Sequence, residues 1–316
     1  LRKAVYELTS STTLAPRVTL APAPAPAPAP PASALTSAAP PLSALRLVAP
    51  ALPGRPAHPG RLASVLAADA RYPDPSALVT FADNHDLPRV LTACGGDEDR
   101  VRRLLAFQLT ARGTPSLTYG VEVGLAGAGE PENRADMRFP GADSPSETAS
   151  LIASLARLRA EHPTFRRKRF FTGNTVRTGP EGAERLNDIV WLHPSGRPME
   201  DEDWEGDDRV LGMYLNGHGI AGRDPRGQVI EDDHFLLYFN AADFDVEVTM
   251  PPEEYAARWQ VAINTAGNGD RPEPIDPDSV VTMASRSVLV LQEYAAPEAD
   301  VDHSVAASMA AQSQTA

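Results

Sequence analysis

The chain has 316 residues, 29 Lys+Arg against 42 Asp+Glu (net −13), one Cys and 31 Pro. Length allows two domains, or one large domain with an appendage. The acidic balance argues against nucleic acid or an anionic membrane surface as partner. The lone Cys94 excludes an intramolecular disulfide framework and fits a reducing, cytoplasmic setting.

The charge is unevenly spread. Thr9 to Ala68 contains no Asp or Glu, and 13 of the 31 prolines fall between Pro16 and Pro59. Proline at every second position from Pro22 to Pro30 favours an extended polyproline-II chain over anything packed. Residues 1–70 are therefore expected to be a disordered Ala/Pro tract. A secretory signal is not expected, because prolines and a Thr/Ser run interrupt the apolar block after Arg2 and Lys3. The start at Leu1 suggests a piece of something longer, or a composite.

From Tyr72 the texture changes. Ala77–Phe81 is a short, apolar, β-branched run that ends in the polar Asp83-Asn84-His85-Asp86, so it reads as a buried strand feeding a loop. Asp97-Glu98-Asp99 opens a helix, with Val101, Leu104, Leu105 and Leu109 at helical spacing. Gly113 breaks that helix, and Pro115–Gly120 reads as a second strand. A strand–helix–strand order belongs to parallel α/β folds, which place their sites in the loops after the strand C-terminal ends. Asn84, His85, Asp86, Arg89 and Glu122 fall there.

Here the sequence resembles a known family. Phe81–Arg89 resembles the "F-x-x-N-H-D-x-x-R" motif of the α-amylase family of glycoside hydrolases (family 13). Arg112–Glu122 resembles its "R-G-x-P-x-x-Y-Y-G-x-E", and Glu130–Arg134 its "D-P-x-N-R". The resemblance implies that residues 71–165 are the end of a (β/α)8 TIM barrel, about strands 7–8. It implies Asp86 as a carboxylate that grips sugar hydroxyls in the transition state, with His85, Asn84 and Arg89 binding substrate. Glu122 and Arg134 are expected to hold the loops by ion pairing. The bland alternative is a turn in which Asn84-His85-Asp86 bond their own backbone.

Retaining glycoside cleavage needs a nucleophilic carboxylate and an acid besides this stabiliser. The family places both earlier in the chain, where only Glu7, Asp69 and Asp74 stand before Asp83. The chain alone is therefore expected to hydrolyse no α-glucan. No metal and no cofactor are expected.

Leu151, Ile152, Leu155 and Leu158 followed by His162-Pro163 predict a short amphipathic helix. Beyond it come β runs at 188–193, 210–216, 235–240, 246–250, 259–264, 280–283 and 287–292. They predict an antiparallel β-sandwich over 166–297, with a flexible tail at 298–316. Phe165–Phe171, Asp188–Gly196 and Asp233–Asn240 resemble the C-terminal part of isoamylase-type glycogen debranching enzymes. That implies glycogen or another branched α-glucan as partner, cut at α-1,6 linkages. Asn84-His85-Asp86, with its short loop, is closer to α-1,4-acting amylases or 4-α-glucanotransferases, which stay open as alternatives. A non-catalytic glucan-binding or partner chain is a third reading, but Trp191 and Trp259 lie on predicted strands and are expected in the core. The basic run Arg166–Arg169 is expected to be a solvated connector, and Cys94 to be inert.

Overall fold

The computed structural model describes residues 74, 78–139, 146–176, 186–205, 209–267 and 273–295. The tract at 1–70 and the tail at 298–316 lie outside the described residues.

Strands β1 (Val79–Phe81) and β2 (Thr114–Ser116) run parallel, with Val79 opposite Thr114 and Phe81 opposite Ser116. Between them lie the short α1 (Val90–Ala93) and the longer α2 (Glu98–Thr110). The acid run starts α2 as predicted: Asp97 accepts from the Arg100 N–H at 3.0 Å, with Glu98 and Asp99 in the first turn. Gln108 on α2 then ties the two strands together. Its amide donates to the Thr80 carbonyl at 3.0 Å and to the Ser116 carbonyl at 2.9 Å. The turn into β2 requires Gly113, at φ +91°, because a Cβ there would lie 2.6 Å from the Leu78 carbonyl oxygen. The second strand is shorter than its sequence suggested: β2 ends at Ser116, and Val121–Val123 form a 3-10 turn.

Helix α3 (Glu147–Glu161) starts four residues before its apolar stripe, because Ser146 caps it by accepting from the Ala149 N–H at 3.0 Å. Ile152, Leu155 and Leu158 are buried against α2. Arg159, on the same buried side, donates to the carbonyls of Leu109 and Ala111 at 2.9 Å each, and to that of Gly113. These are acceptors at the end of α2 and in the turn just beyond it. Burial lowers the Arg159 pKa to about 10, so it keeps its charge at neutral pH.

The remaining strands are β3 (Ile189–Leu192), β4 (Val210–Leu215), β5 (Ile220–Arg223), β6 (Val229–Ile230), β7 (Phe235–Asn240), β8 (Val246–Thr249), β9 (Trp259–Asn264), β10 (Val280–Met283) and β11 (Val288–Glu293). Five form an antiparallel sheet in the order β3-β4-β7-β11-β9, while β8 pairs with β10 and β5 with β6. The central strands are buried on both faces, and their side chains divide with the period of two that a strand imposes. Leu211, Met213, Leu215, Phe235, Leu237, Phe239, Val288 and Val290 pack in one core with α2 and α3. Val210, Tyr214, Leu236, Tyr238, Leu289 and Leu291 pack in the other with Val248, Val281 and Met283 of β8 and β10. The helical unit and the sandwich thus share a core. All seven predicted strands are present; the β5–β6 hairpin was not foreseen.

The basic run departs from expectation. Arg167 is buried, donates to the Asn216 carbonyl and stacks over the Phe171 ring at 4.3 Å. One residue of the supposed solvated connector is therefore a packed strut. Trp259 is fully buried, and Trp191 meets Trp204 edge-on with centroids 6.2 Å apart. Among the described residues, no helix is long and apolar enough to cross a membrane.

Candidate active site

Because β1 and β2 are parallel, the chain leaves both at the same end of the sheet, and the loops that follow meet there. The first of these loops is Ala82–Arg89. Asp83 is buried at its base, where one carboxylate oxygen accepts from Arg89 Nε at 3.0 Å and from the Val90 N–H at 2.8 Å. This bond fixes the start of α1, whose first residue is Val90.

Arg89 was expected to bind substrate. The structure instead encloses it completely: besides Asp83, its guanidinium donates to the carbonyls of Asn133 and Tyr119, with the Tyr119 ring 5.2 Å away. A buried cation needs a partner and hydrogen bonds, and here its donors are spent inside the loop cluster. Asn84 is also engaged locally. Its Oδ1 accepts from the backbone N–H of Asp86 at 2.9 Å and of Leu87 at 3.0 Å. The turn reading is therefore right for Asn84, and that turn is what lifts the next two side chains outward.

His85 and Asp86 are those two side chains. They are 69% and 66% exposed, with His85 Nε2 lying 3.3 Å from an Asp86 carboxylate oxygen. Arg134 approaches the other Asp86 oxygen at 3.6 Å and pairs with Glu130 at 3.1 Å. Exposed pairs of this kind contribute little stability, so their value lies in orienting Asp86. Glu122 was expected to act through its carboxylate; among the described residues its carbonyl accepts from Ser146 Oγ at 2.5 Å.

The sequence reading named Arg134 as a group that holds the loops but missed Asn133 and Thr118, which hold this loop from behind. Asn133 is 2% exposed and donates its amide to the carbonyls of His85 at 3.0 Å and Leu87 at 3.1 Å, while Arg134 Nε donates to His85 O at 3.2 Å. Thr118 Oγ1 donates to the Asp83 carbonyl at 2.8 Å, and the Arg89 N–H to the Gly127 carbonyl at 2.9 Å. The signal was present, since Thr118 belongs to the second motif and Asn133 to the third. The three motifs are far apart in sequence and form one cluster in space. Cys94, nearby in sequence, is buried, and burial pushes its thiol up to about 11, which makes it unreactive.

A scan against family models finds no match for the chain. Comparison with curated proteins does. The chain is 35% identical over 202 residues to the glycogen operon protein GlgX homolog of Mycobacterium tuberculosis (strain ATCC 25618 / H37Rv), over 61% of this chain and 28% of that protein. It is 36% identical over 106 residues to the cyclomaltodextrin glucanotransferase of Bacillus sp. (strain 38-2), over 34% of this chain and 14% of that enzyme. Among solved structures, the α-amylase of Geobacillus thermoleovorans complexed with acarbose matches with a TM-score of 0.52 and 16% identity, over 82% of this chain and 47% of that one. That last likeness speaks to fold alone. The chain thus spans little more than a quarter of the GlgX homologue's length. These similarities support a GlgX-like C-terminal region of the α-amylase family, glycoside hydrolase family 13, with the sequence likeness carried by the GlgX homologue and the fold likeness by the α-amylases.

Proposed function

We propose that this chain is the end of a (β/α)8 catalytic barrel, about strands 7–8 over residues 71–165, joined to a C-terminal β-sandwich over 166–297. In this reading it serves the retaining hydrolysis of α-1,6 branch linkages in glycogen or a similar α-glucan. The observation that carries the reading is the convergence of the three motif segments on one exposed pair, His85 and Asp86, beside the C-terminal ends of two parallel strands. A carboxylate presented on a rigid loop can accept hydrogen bonds from sugar hydroxyls as the ring flattens, and such bonds strengthen in the transition state. His85 donates to the same sugar. Arg89 and Asn84 position the loop.

The isolated chain supplies one of the three carboxylates that retaining cleavage needs and hydrolyses no α-glucan. The decisive experiment joins this chain to the upstream barrel portion of the Mycobacterium tuberculosis GlgX homologue and measures release from branched and linear glucans. The chimera is expected to act on branched glucan, and Asp86→Asn to lower its kcat by about 10²-fold or more. An active chimera indifferent to Asp86→Asn, or reducing sugar released by the 316-residue chain alone, overturns the reading. An α-1,4-acting or 4-α-glucanotransferase activity is the second reading, supported by the similarity to cyclomaltodextrin glucanotransferase. Transfer products formed from linear maltodextrin would favour it.

A further inference from the structure

A polar cluster joins the sandwich to the end of α3. Asp232 precedes β7, and its two oxygens take different donors from the other unit: His162 Nδ1 at 2.7 Å and the Thr164 N–H at 2.8 Å. Thr164 belongs to the 3-10 turn Pro163–Arg166, so Asp232 caps that turn from across the junction. On the far side of the imidazole, Gln292 of β11 lies 3.4 Å from His162 Nε2 and donates to Asp233 at 2.6 Å. The Phe235 ring meets the imidazole edge-on, with centroids 4.8 Å apart. The side chains of His162 and Asp232 are 13% and 7% exposed, so water screens the pair weakly.

We propose that His162, Asp232, Asp233 and Gln292 form a proton-sensitive clasp that holds the β-sandwich to α3 most tightly when the imidazole is doubly protonated. A neutral imidazole can serve only one side of this cluster as donor. With Nδ1–H given to Asp232, Nε2 is an acceptor and takes the Gln292 amide. A second proton on Nε2 ends the bond from the Gln292 amide, itself a donor, and leaves that N–H to be taken up by Asp233, while the Asp232 contact becomes a charge-assisted bond. The charges facing the ring favour this form. Asp232 and Asp233 approach from the segment before β7 and Glu161 from α3 itself, whereas β7 offers the neutral Phe235 and β11 the neutral Gln292. Arg167, buried in the same junction, is favoured electrostatically by Asp188 first and then by Asp232.

The electrostatic surroundings of the two partners act in the same direction. The hydrogen bond that His162 donates to Asp232 raises the His162 pKa above its ordinary 6.5, outweighing burial. Burial opposes the ionised Asp232, but bonds from His162 and Thr164 overcome it and hold that carboxyl below its ordinary value. A raised histidine stabilises the fold fully below the unfolded value of about 6.5 and loses that contribution as pH climbs through the folded value. Asp232 stays ionised across the same window and leaves the sign unchanged.

The test uses the full chain and does not depend on glycosidase activity. The imidazole Cε1–H resonances are followed by NMR from pH 5 to 9 in the native chain, His162→Gln and Asp232→Asn, alongside urea unfolding. In the native chain His162 is expected to titrate above 6.5. Each unit of elevation appears as an approximately tenfold rise in the unfolding constant between pH 6 and pH 9. His162→Gln is expected to flatten that slope, and Asp232→Asn to bring the His162 titration down. A native His162 that titrates at or below 6.5, or a slope unchanged in His162→Gln, overturns the clasp. Should His162→Gln fail to fold, the Asp232→Asn titration decides alone, and no downward shift there sinks the proposal.

Discussion

The loop cluster around Asp86 and the five-stranded sheet are held by different physics. In the sheet, Phe235–Tyr238 alternate between two cores and each is fully buried. Order there comes from burial, at about 1.5–3 kcal/mol per large side chain. The loop cluster rests on a two-stranded parallel sheet of three residues a strand, too small to hold its shape by apolar contact. What holds it is polar: Asp83 with Arg89, Asn133 with two carbonyls, Thr118 with a third. Hydrophobic burial tolerates a displaced atom, whereas a buried polar network fails once one partner is removed. The fold is thus robust where it is structural and brittle where it presents Asp86.

That contrast can be broken most sharply at Arg89. Arg89→Met leaves Asp83 buried without its cation, a loss of about 3–5 kcal/mol. It should appear as loss of hydrogen-exchange protection in 82–93 with the sheet amides unchanged. Protection lost equally in both regions would show that the cluster is not a separate unit. Leu237→Ala removes a fully buried side chain from the central strand and should cost about 2–5 kcal/mol. Here the urea midpoint should fall for the whole chain, with the loop protected until global unfolding. Asn133→Ala strips the donor from His85 O and Leu87 O and should cost about 1–3 kcal/mol, read as faster exchange confined to the loop. Asn133→Asp, which cannot donate to those carbonyls, should behave like Ala rather than like Asn.

The same contrast explains what could be read from sequence. β-branched and aromatic runs such as Phe235–Asn240 announce themselves because their burial is encoded locally, residue by residue. The β5–β6 hairpin was missed because Ile220-Ala221-Gly222-Arg223 offers one large apolar residue and a glycine, too little for a strand pattern. At the site, residue types were legible through the motifs, which pointed to Asp86 and His85 and to the meeting of three segments. Their division of labour was not legible. Arg89 and Arg134 are the same residue type on adjacent loops, yet one is enclosed and the other half-exposed, and what separates the two roles is largely long-range: Arg89 reaches Tyr119 and Asn133, 30 and 44 residues away, and Arg134 reaches His85, 49 residues away. The start of α3 was not legible for a related reason: the apolar stripe begins after the cap, so periodicity sees Leu151 before Ser146.

Ser146 is the finest point at which the two regions can be told apart, since one hydroxyl serves both. It accepts from the Ala149 N–H at 3.0 Å, which starts α3 against the shared core. It also donates to the Glu122 carbonyl at 2.5 Å, which ties α3 to the 3-10 turn beside the loop cluster. Ser146→Ala removes both roles and should cost about 1 kcal/mol, the usual loss for a cap. Ser146→Thr keeps both and should fall within a few tenths of the native value. Ser146→Asp separates them: a carboxylate caps the helix as well as a hydroxyl does and suits its positive end, but it cannot donate to Glu122. If the cap dominates, the Asp variant should unfold in urea close to the native chain, with faster exchange only in 120–124. If it unfolds early like Ala, the hydroxyl's weight lies on the tie to Glu122, and the boundary between core and loop cluster belongs one turn further into α3.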